Sequence, residues 1–222
     1  MSHSLGPVIS ALSVAIGIGI TMQGAASTTT RIVAMGDSTT AGTPAFRSPI
    51  EAPPDGRGDE TSQYAYWLMQ SHPEWTVLNR GVNGERSDQI HARFDRDVVA
   101  AAPGVVVIIA GVNDVYQGRT AAHVTGELGL MYARAAQAGI RVVAGSIVPY
   151  NTATPEQNAR MHAINEWIRR QPGIAFVDTR AAVAATGRPD ILFDSPDGLH
   201  PTAAGYRRMA DAIRPILETI LR

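Results

Sequence analysis

Short apolar runs alternate with segments of helical spacing along most of this chain, and that alternation limits the fold more than any other feature. Five runs read as strands: Arg31–Met35, Thr76–Asn79, Val105–Ala110, Arg141–Ser146 and Ala175–Asp178. Their apolar residues suit strands buried on both faces of a parallel sheet. Between them, Ile90, Phe94 and Val98 recur at helical spacing, as do Val124, Leu128, Met131 and Ala135, with Gly139 as a stop signal. In Thr154-Pro155-Glu156-Gln157, Thr154 can cap a helix, Pro155 fits its first turn and Gln157 can complete a capping box. Met161, Ile164 and Ile168 then mark a buried face. His200-Pro201-Thr202 opens a last helix with Tyr206, Met209 and Ile213 inward, and Pro215 is expected to kink or restart it. The pattern implies an α/β fold: a three-layer α/β/α sandwich around a central parallel sheet of about five strands, with right-handed crossovers. Ligands of such sheets bind beyond the carboxyl ends of the strands.

The N-terminus departs from this pattern. Val8–Ile20 is apolar apart from small residues, and Gly24 and Ala26 stand at the spacing a signal peptidase accepts. The run falls short of the roughly 20 residues of a membrane span. Residues 1–26 are therefore read as a secretory signal peptide and 27–222 as one domain, secreted or held in the cell envelope. No Lys or Arg precedes Arg31, so the usual positive start is missing, and a retained N-terminal anchor is the rival reading. The 222 residues include 45% apolar and 18% charged positions with a formal net charge of −1, which lacks the basic footprint of a nucleic-acid binder. No cysteine is present, which removes disulfides, thiolate catalysis and Cys-based zinc sites. The six histidines form no His-x-x-x-His pair, so no metal site is expected. A monomer without stable membrane insertion of the mature domain is the expected state.

Four polar clusters follow strands or precede the last helix. They are Gly36-Asp37-Ser38-Thr39-Thr40-Ala41-Gly42, Gly81-Val82-Asn83-Gly84-Glu85-Arg86-Ser87, Gly111-Val112-Asn113-Asp114 and Asp197-Gly198-Leu199-His200-Pro201. Singly, each reads as a turn or a helix cap. Together they hold the parts of ester hydrolysis. A serine hydroxyl needs a base, which His200 can be for Ser38. The imidazole needs a carboxylate to fix its tautomer, which Asp197 can supply from the same loop. The oxyanion needs preorganised donors, which the Ser38 and Gly84 N–H groups and the Asn113 amide can provide.

These blocks, in this order, resemble the SGNH (GDSL-type) hydrolase family: GDSTTAG, NGERS, GVND and DGLHPT. The resemblance runs from Arg31 to the last helix and departs mildly at Thr39, where the family pattern has leucine. It implies a flavodoxin-like α/β/α fold and hydrolysis of carboxylic esters or thioesters. It implies Ser38 as nucleophile, His200 as general base and then acid, Asp197 as its orienter, and an oxyanion hole of Ser38, Gly84 and Asn113, with no metal or organic cofactor. The Gly-x-Ser-x-Gly elbow of the α/β-hydrolases is absent around Ser38.

Several other residues need a reading. Asp37 reads as structural, Asp114 as holding the Asn113 loop, and Asp194 as the one substitute for the triad acid. His72, His91, His123 and His162 read as surface or packing residues. The polar stretch Thr43–Ser62 is expected near the site, with Phe46 and Ile50 as candidate pocket walls. Carboxylesterase or lipase action leads. Carbohydrate O-deacetylation, thioesterase or lysophospholipase action, and a non-catalytic binding domain remain open, as does a phosphate binder, though Gly36–Gly42 lacks the P-loop ending.

Overall fold

Five parallel strands form the centre of this computed structural model, which describes residues 1–3 and 30–222. Beyond its first three residues, the expected leader lies outside the described residues. In chain order the strands are β1 (Thr30–Gly36), β2 (Phe46–Arg47), β3 (Arg57–Gly58), β4 (Trp75–Gly81), β5 (Val105–Ile109), β6 (Arg141–Gly145), β7 (Ile174–Val177), β8 (Ala184–Ala185) and β9 (Arg188–Leu192). The helices are α1 (Ser38–Ala41), α2 (Tyr64–Ser71), α3 (Ser87–Ala92), α4 (Phe94–Asp97), α5 (Val112–Tyr116), α6 (Ala121–Gln137), α7 (Pro155–Arg169), α8 (Thr179–Val183) and α9 (Ala203–Ile220). The main sheet runs β4-β1-β5-β6-β7, all parallel. By position among its own strands this is the 2-1-3-4-5 order of flavodoxin-like folds, whose switch point lies between the first and third strands. Here those strands are β1 and β5.

Two apolar clusters sandwich the sheet. One joins Val106, Ile108 and Val142 to Phe94, Leu128, Met131 and Ile164; the other joins Val105, Val107 and Val143 to Leu68, Tyr206, Met209 and Ile213. Neighbouring strand residues thus face opposite layers, which explains the continuous apolar runs in the sequence. The capping box at Thr154 forms as read, with the Gln157 N–H on Thr154 Oγ1 at 3.2 Å and the Thr154 N–H on Gln157 Oε1 at 2.9 Å.

Three expectations change. Ile90, Phe94 and Val98 are all buried, but α3 and α4 are separate: the backbone breaks at Arg93 (φ −104°, ψ 6°), whose side chain turns inward. Pro215 does not restart the last helix, since α9 runs unbroken across it. The Thr43–Ser62 stretch contributes to the core. Phe46 and Ser48 are buried, Gly42 and Gly56 leave room for the Phe46 ring, and β2 pairs with β3. Phe46 lies with Gln63, Tyr66 and Asn79 along a crevice by the β4 edge, which gives it a packing role.

Candidate active site

β1 ends at Gly36 and α1 begins at Ser38, so Ser38 sits on the strand-to-helix turn. Asp37 caps this turn: its Oδ1 accepts the Thr39 N–H at 2.9 Å, and its carbonyl accepts the N–H groups of Thr40 and Ala41. The turn lies tight against the sheet. A Cβ on Gly36 would strike the Ile109 carbonyl and Thr40 Oγ1, and one on Gly81 would strike the Ala41 N. Burial pushes the Asp37 carboxyl up to about 7 against the pull of its Thr39 bonds. Asp37 therefore acts as a cap, as its sequence context suggests. Ser38 itself is 3% exposed.

The loop before α9 pairs Asp197 with His200. His200 Nδ1 lies 2.7 Å from Asp197 Oδ2, while Asp197 Oδ1 accepts the N–H groups of Leu199 (2.9 Å) and His200 (2.8 Å). Burial alone would raise the Asp197 carboxyl, but the bonds from the His200 ring and these two N–H groups outweigh it and bring it down to about 2. Ser195 tightens the loop, donating from Oγ to the His200 carbonyl and accepting the Gly198 N–H. The ring's other nitrogen, Nε2, is buried and bonds nothing among the described residues, Ser38 included. Tyr206, in the first turn of α9, links this loop to the Ser38 turn. Its hydroxyl donates to the Thr43 carbonyl at 2.8 Å, and its pKa is raised by burial and then by the charges of Asp37 and Asp197.

The Asn113 side chain reaches the Gly84 loop. Gly84 has φ +78°, a conformation that favours glycine. The Asn113 side-chain amide donates to the Glu85 carbonyl at 2.9 Å. An Asn amide has two N–H groups, so one remains for a ligand. Asp114 is fully buried and accepts from the Ser87 N–H (2.8 Å) and Ser87 Oγ (2.7 Å), which ties the GVND block to the NGERS block. Asp114 thus holds the loop, as read. Glu51, from the Thr43–Ser62 stretch, accepts the Asn83 N–H at 2.9 Å and so places that stretch against the Gly84 loop.

The remaining candidates separate cleanly. Asp194 accepts from Thr202 Oγ1 at the start of α9, and His200 has Asp197 as its carboxylate. His72 bonds Glu74 and Glu218, His91 bonds Glu127, and His162 bonds Asp190. Asp88, Asp114 and His123 bring one donor atom each within 4.8 Å of one another. Arg86 forks onto Asp88, and Ser87 occupies both oxygens of Asp114, so a cation there would face a guanidinium and already bonded carboxylates.

One residue that sequence reasoning missed connects these parts. The Arg93 guanidinium is buried and donates to the Gly36 carbonyl (2.9 Å), the Arg80 carbonyl (2.8 Å), Glu85 Oε2 (2.6 Å) and Asp97 Oδ2 (2.8 Å). It thereby joins the strand end before Ser38 to the residue whose carbonyl holds Asn113. Nothing in the periodicity around it marks an inward-turned arginine.

A family profile described as the GDSL-like Lipase/Acylhydrolase family matches residues 34–208. The chain belongs to that family. As a GDSL-like acylhydrolase it is a carboxylic ester hydrolase. Among curated proteins, an acetylxylan esterase from Geobacillus stearothermophilus is 30% identical over 171 residues, covering 67% of this chain and 76% of that one. Among solved structures, a member of the lipolytic protein G-D-S-L family from Veillonella parvula superposes with a TM-score of 0.71 at 18% identity, covering 87% of this chain and 99% of its own. A GDSL-like lipase from Bacteroides thetaiotaomicron gives a TM-score of 0.63 at 24% identity, with coverage of 86% and 88%. At these identities the two structures support the fold of this GDSL-like hydrolase.

Proposed function

We propose that this hydrolase cleaves small-acyl esters of carbohydrate through an acyl-enzyme at Ser38. The observation that carries the reading is the His200 ring: Nδ1 held by Asp197 at 2.7 Å, and Nε2 buried with no partner among the described residues. A buried ring nitrogen without a partner is costly unless a substrate or nucleophile uses it. In the mechanism, Ser38 Oγ attacks the acyl carbonyl while His200 Nε2 takes its proton, and Asp197 stabilises the imidazolium. The N–H groups of Ser38 and Gly84 and the free N–H of Asn113 hold the oxyanion. Collapse returns the proton from His200 to the departing sugar oxygen. Water then attacks the acyl-enzyme with His200 again as base.

The carbohydrate assignment is supported by the acetylxylan esterase relative, whose name states its substrate. The test is acetate release from O-acetylated xylan, run beside p-nitrophenyl esters of increasing acyl length, with Ser38→Ala as control. Activity confined to short acyl groups and abolished by Ser38→Ala is expected. A preference for long chains would move the reading to a lipase, and equal rates in both proteins would remove Ser38 from the mechanism. An export leader over residues 1–26, with 27–222 as the mature domain, fits a polymeric substrate outside the cell, and N-terminal sequencing of the mature protein tests it. The proposed state is a monomer, to be checked by light scattering: among the described residues only Met1, Tyr116 and Leu130 are large exposed apolar side chains, too few for an apolar patch. No helix among the described residues is long and apolar enough to cross a membrane.

A further inference from the structure

Tyr116 is the last residue of α5, three positions after Asn113. Residues at i and i+3 share a helix face, which puts Tyr116 on the Asn113 side of the site. It is 59% exposed. Its ring meets that of Tyr150 at 65°, with centroids 5.8 Å apart. Tyr150 is only 1% exposed, yet its hydroxyl is buried and bonds nothing among the described residues. Burial raises the Tyr150 phenol, Tyr116 adds to the rise, and the Arg160 guanidinium opposes it. The next residue, Asn151, donates its N–H to the Gly198 carbonyl at 2.7 Å, inside the Asp197–His200 loop. The two tyrosines therefore bridge the rim from the Asn113 side to the His200 side.

We propose that Tyr116 and Tyr150 form the leaving-group subsite and take a pyranose ring of an O-acetylated glycan. The inference rests on the carbohydrate reading above and assigns its recognition to named residues. The leaving oxygen collects its proton from His200, so groups adjoining the His200 loop meet the alcohol half of the ester. An exposed tyrosine face can cover the C–H face of a sugar. The Tyr150 hydroxyl, without a partner among the described residues, calls for a polar group, which a sugar hydroxyl supplies and an alkyl chain does not.

The experiment compares acetate release from O-acetylated xylo-oligosaccharides with release from ethyl acetate, which has no ring to stack. Tyr116→Ala is expected to lower the ratio of the two kcat/KM values about tenfold, through KM for the oligosaccharide. Tyr150→Phe should lower it a few-fold, and Tyr116→Trp should restore it. A ratio that Tyr116→Ala leaves alone would overturn the subsite while the carbohydrate reading stands. Parent protein that cleaves ethyl acetate but no acetylated oligosaccharide would overturn that reading and the subsite with it.

Discussion

The two halves of the proposed site are built by opposite means. On the His200 side, Asp197 bonds the ring and backbone of a residue three positions away, and Ser195 closes the same loop. On the Asn113 side, the bonds that join the blocks cross the chain. Asn113 reaches Glu85 over 28 residues, Ser87 reaches Asp114 over 27, and Arg93 reaches Gly36 over 57. A loop closed largely by its own bonds, as this one is beside the single reach of Asn151 to Gly198, depends less on its surroundings. A donor held by distant segments keeps its geometry only while the packing between them is intact. The His200 side should therefore lose catalysis without losing stability, and the Asn113 side should lose both.

The largest effect should come from the local half. Asp197→Asn leaves the imidazole without its anion, and by analogy with other triads turnover should fall about ten-thousandfold. The carboxylate is 39% exposed, so the stability cost should stay at about 1 kcal/mol or less after solvent screening. Urea unfolding at pH 7 beside steady-state kinetics measures both. A large loss of stability would show that this loop depends on its surroundings after all.

Arg93→Met probes the other half. It takes a donor inside the protein from Glu85, from two carbonyls and from Asp97, which keeps Arg96. Removing one partner of such a buried network costs about 3–5 kcal/mol. Turnover should fall as well, because Glu85 carries the carbonyl that holds Asn113. If stability falls while turnover in the folded fraction is unchanged, Arg93 belongs to the core alone. Asn113→Ala comes next, with turnover down about a hundredfold by comparison with other oxyanion donors. Combining it with Arg93→Lys sharpens the contrast: if Arg93 acts through Asn113, the lysine variant should cost less turnover in the Asn113→Ala background than alone.

The same contrast decides what could be read in the sequence. All five sheet strands lie within two residues of their expected positions, because burial on both faces writes itself into consecutive apolar residues. Thr154 and Gln157 were legible because a capping box spans only three positions. The pairing of Asp197 with His200 was legible for a similar reason. Arg93 was not: its partners come from β1, β4 and the Gly84 loop, and no local spacing announces an inward-facing charge. The break between α3 and α4 was hidden too, since Ile90, Phe94 and Val98 keep their spacing and burial across it. The burial of Phe46 was hidden as well, because the residues around it are polar.

The smallest effect is a pH dependence confined to the His200 side. The Asp197 carboxyl ordinarily titrates near 3.8 and is held at about 2 in the folded chain. A carboxylate whose folded pKa is depressed adds stability that is fully present above its unfolded value and is lost as pH falls through the folded one. The stability difference between the parent protein and Asp197→Asn should therefore hold steady from pH 7 to about 5 and shrink as pH drops toward 2. Unfolding midpoints along that series measure it. A difference that stayed constant to pH 2.5 would mean that the carboxylate's bonds to His200 and Leu199 do not favour its charged form, and the local loop would lose its claim to be held by Asp197.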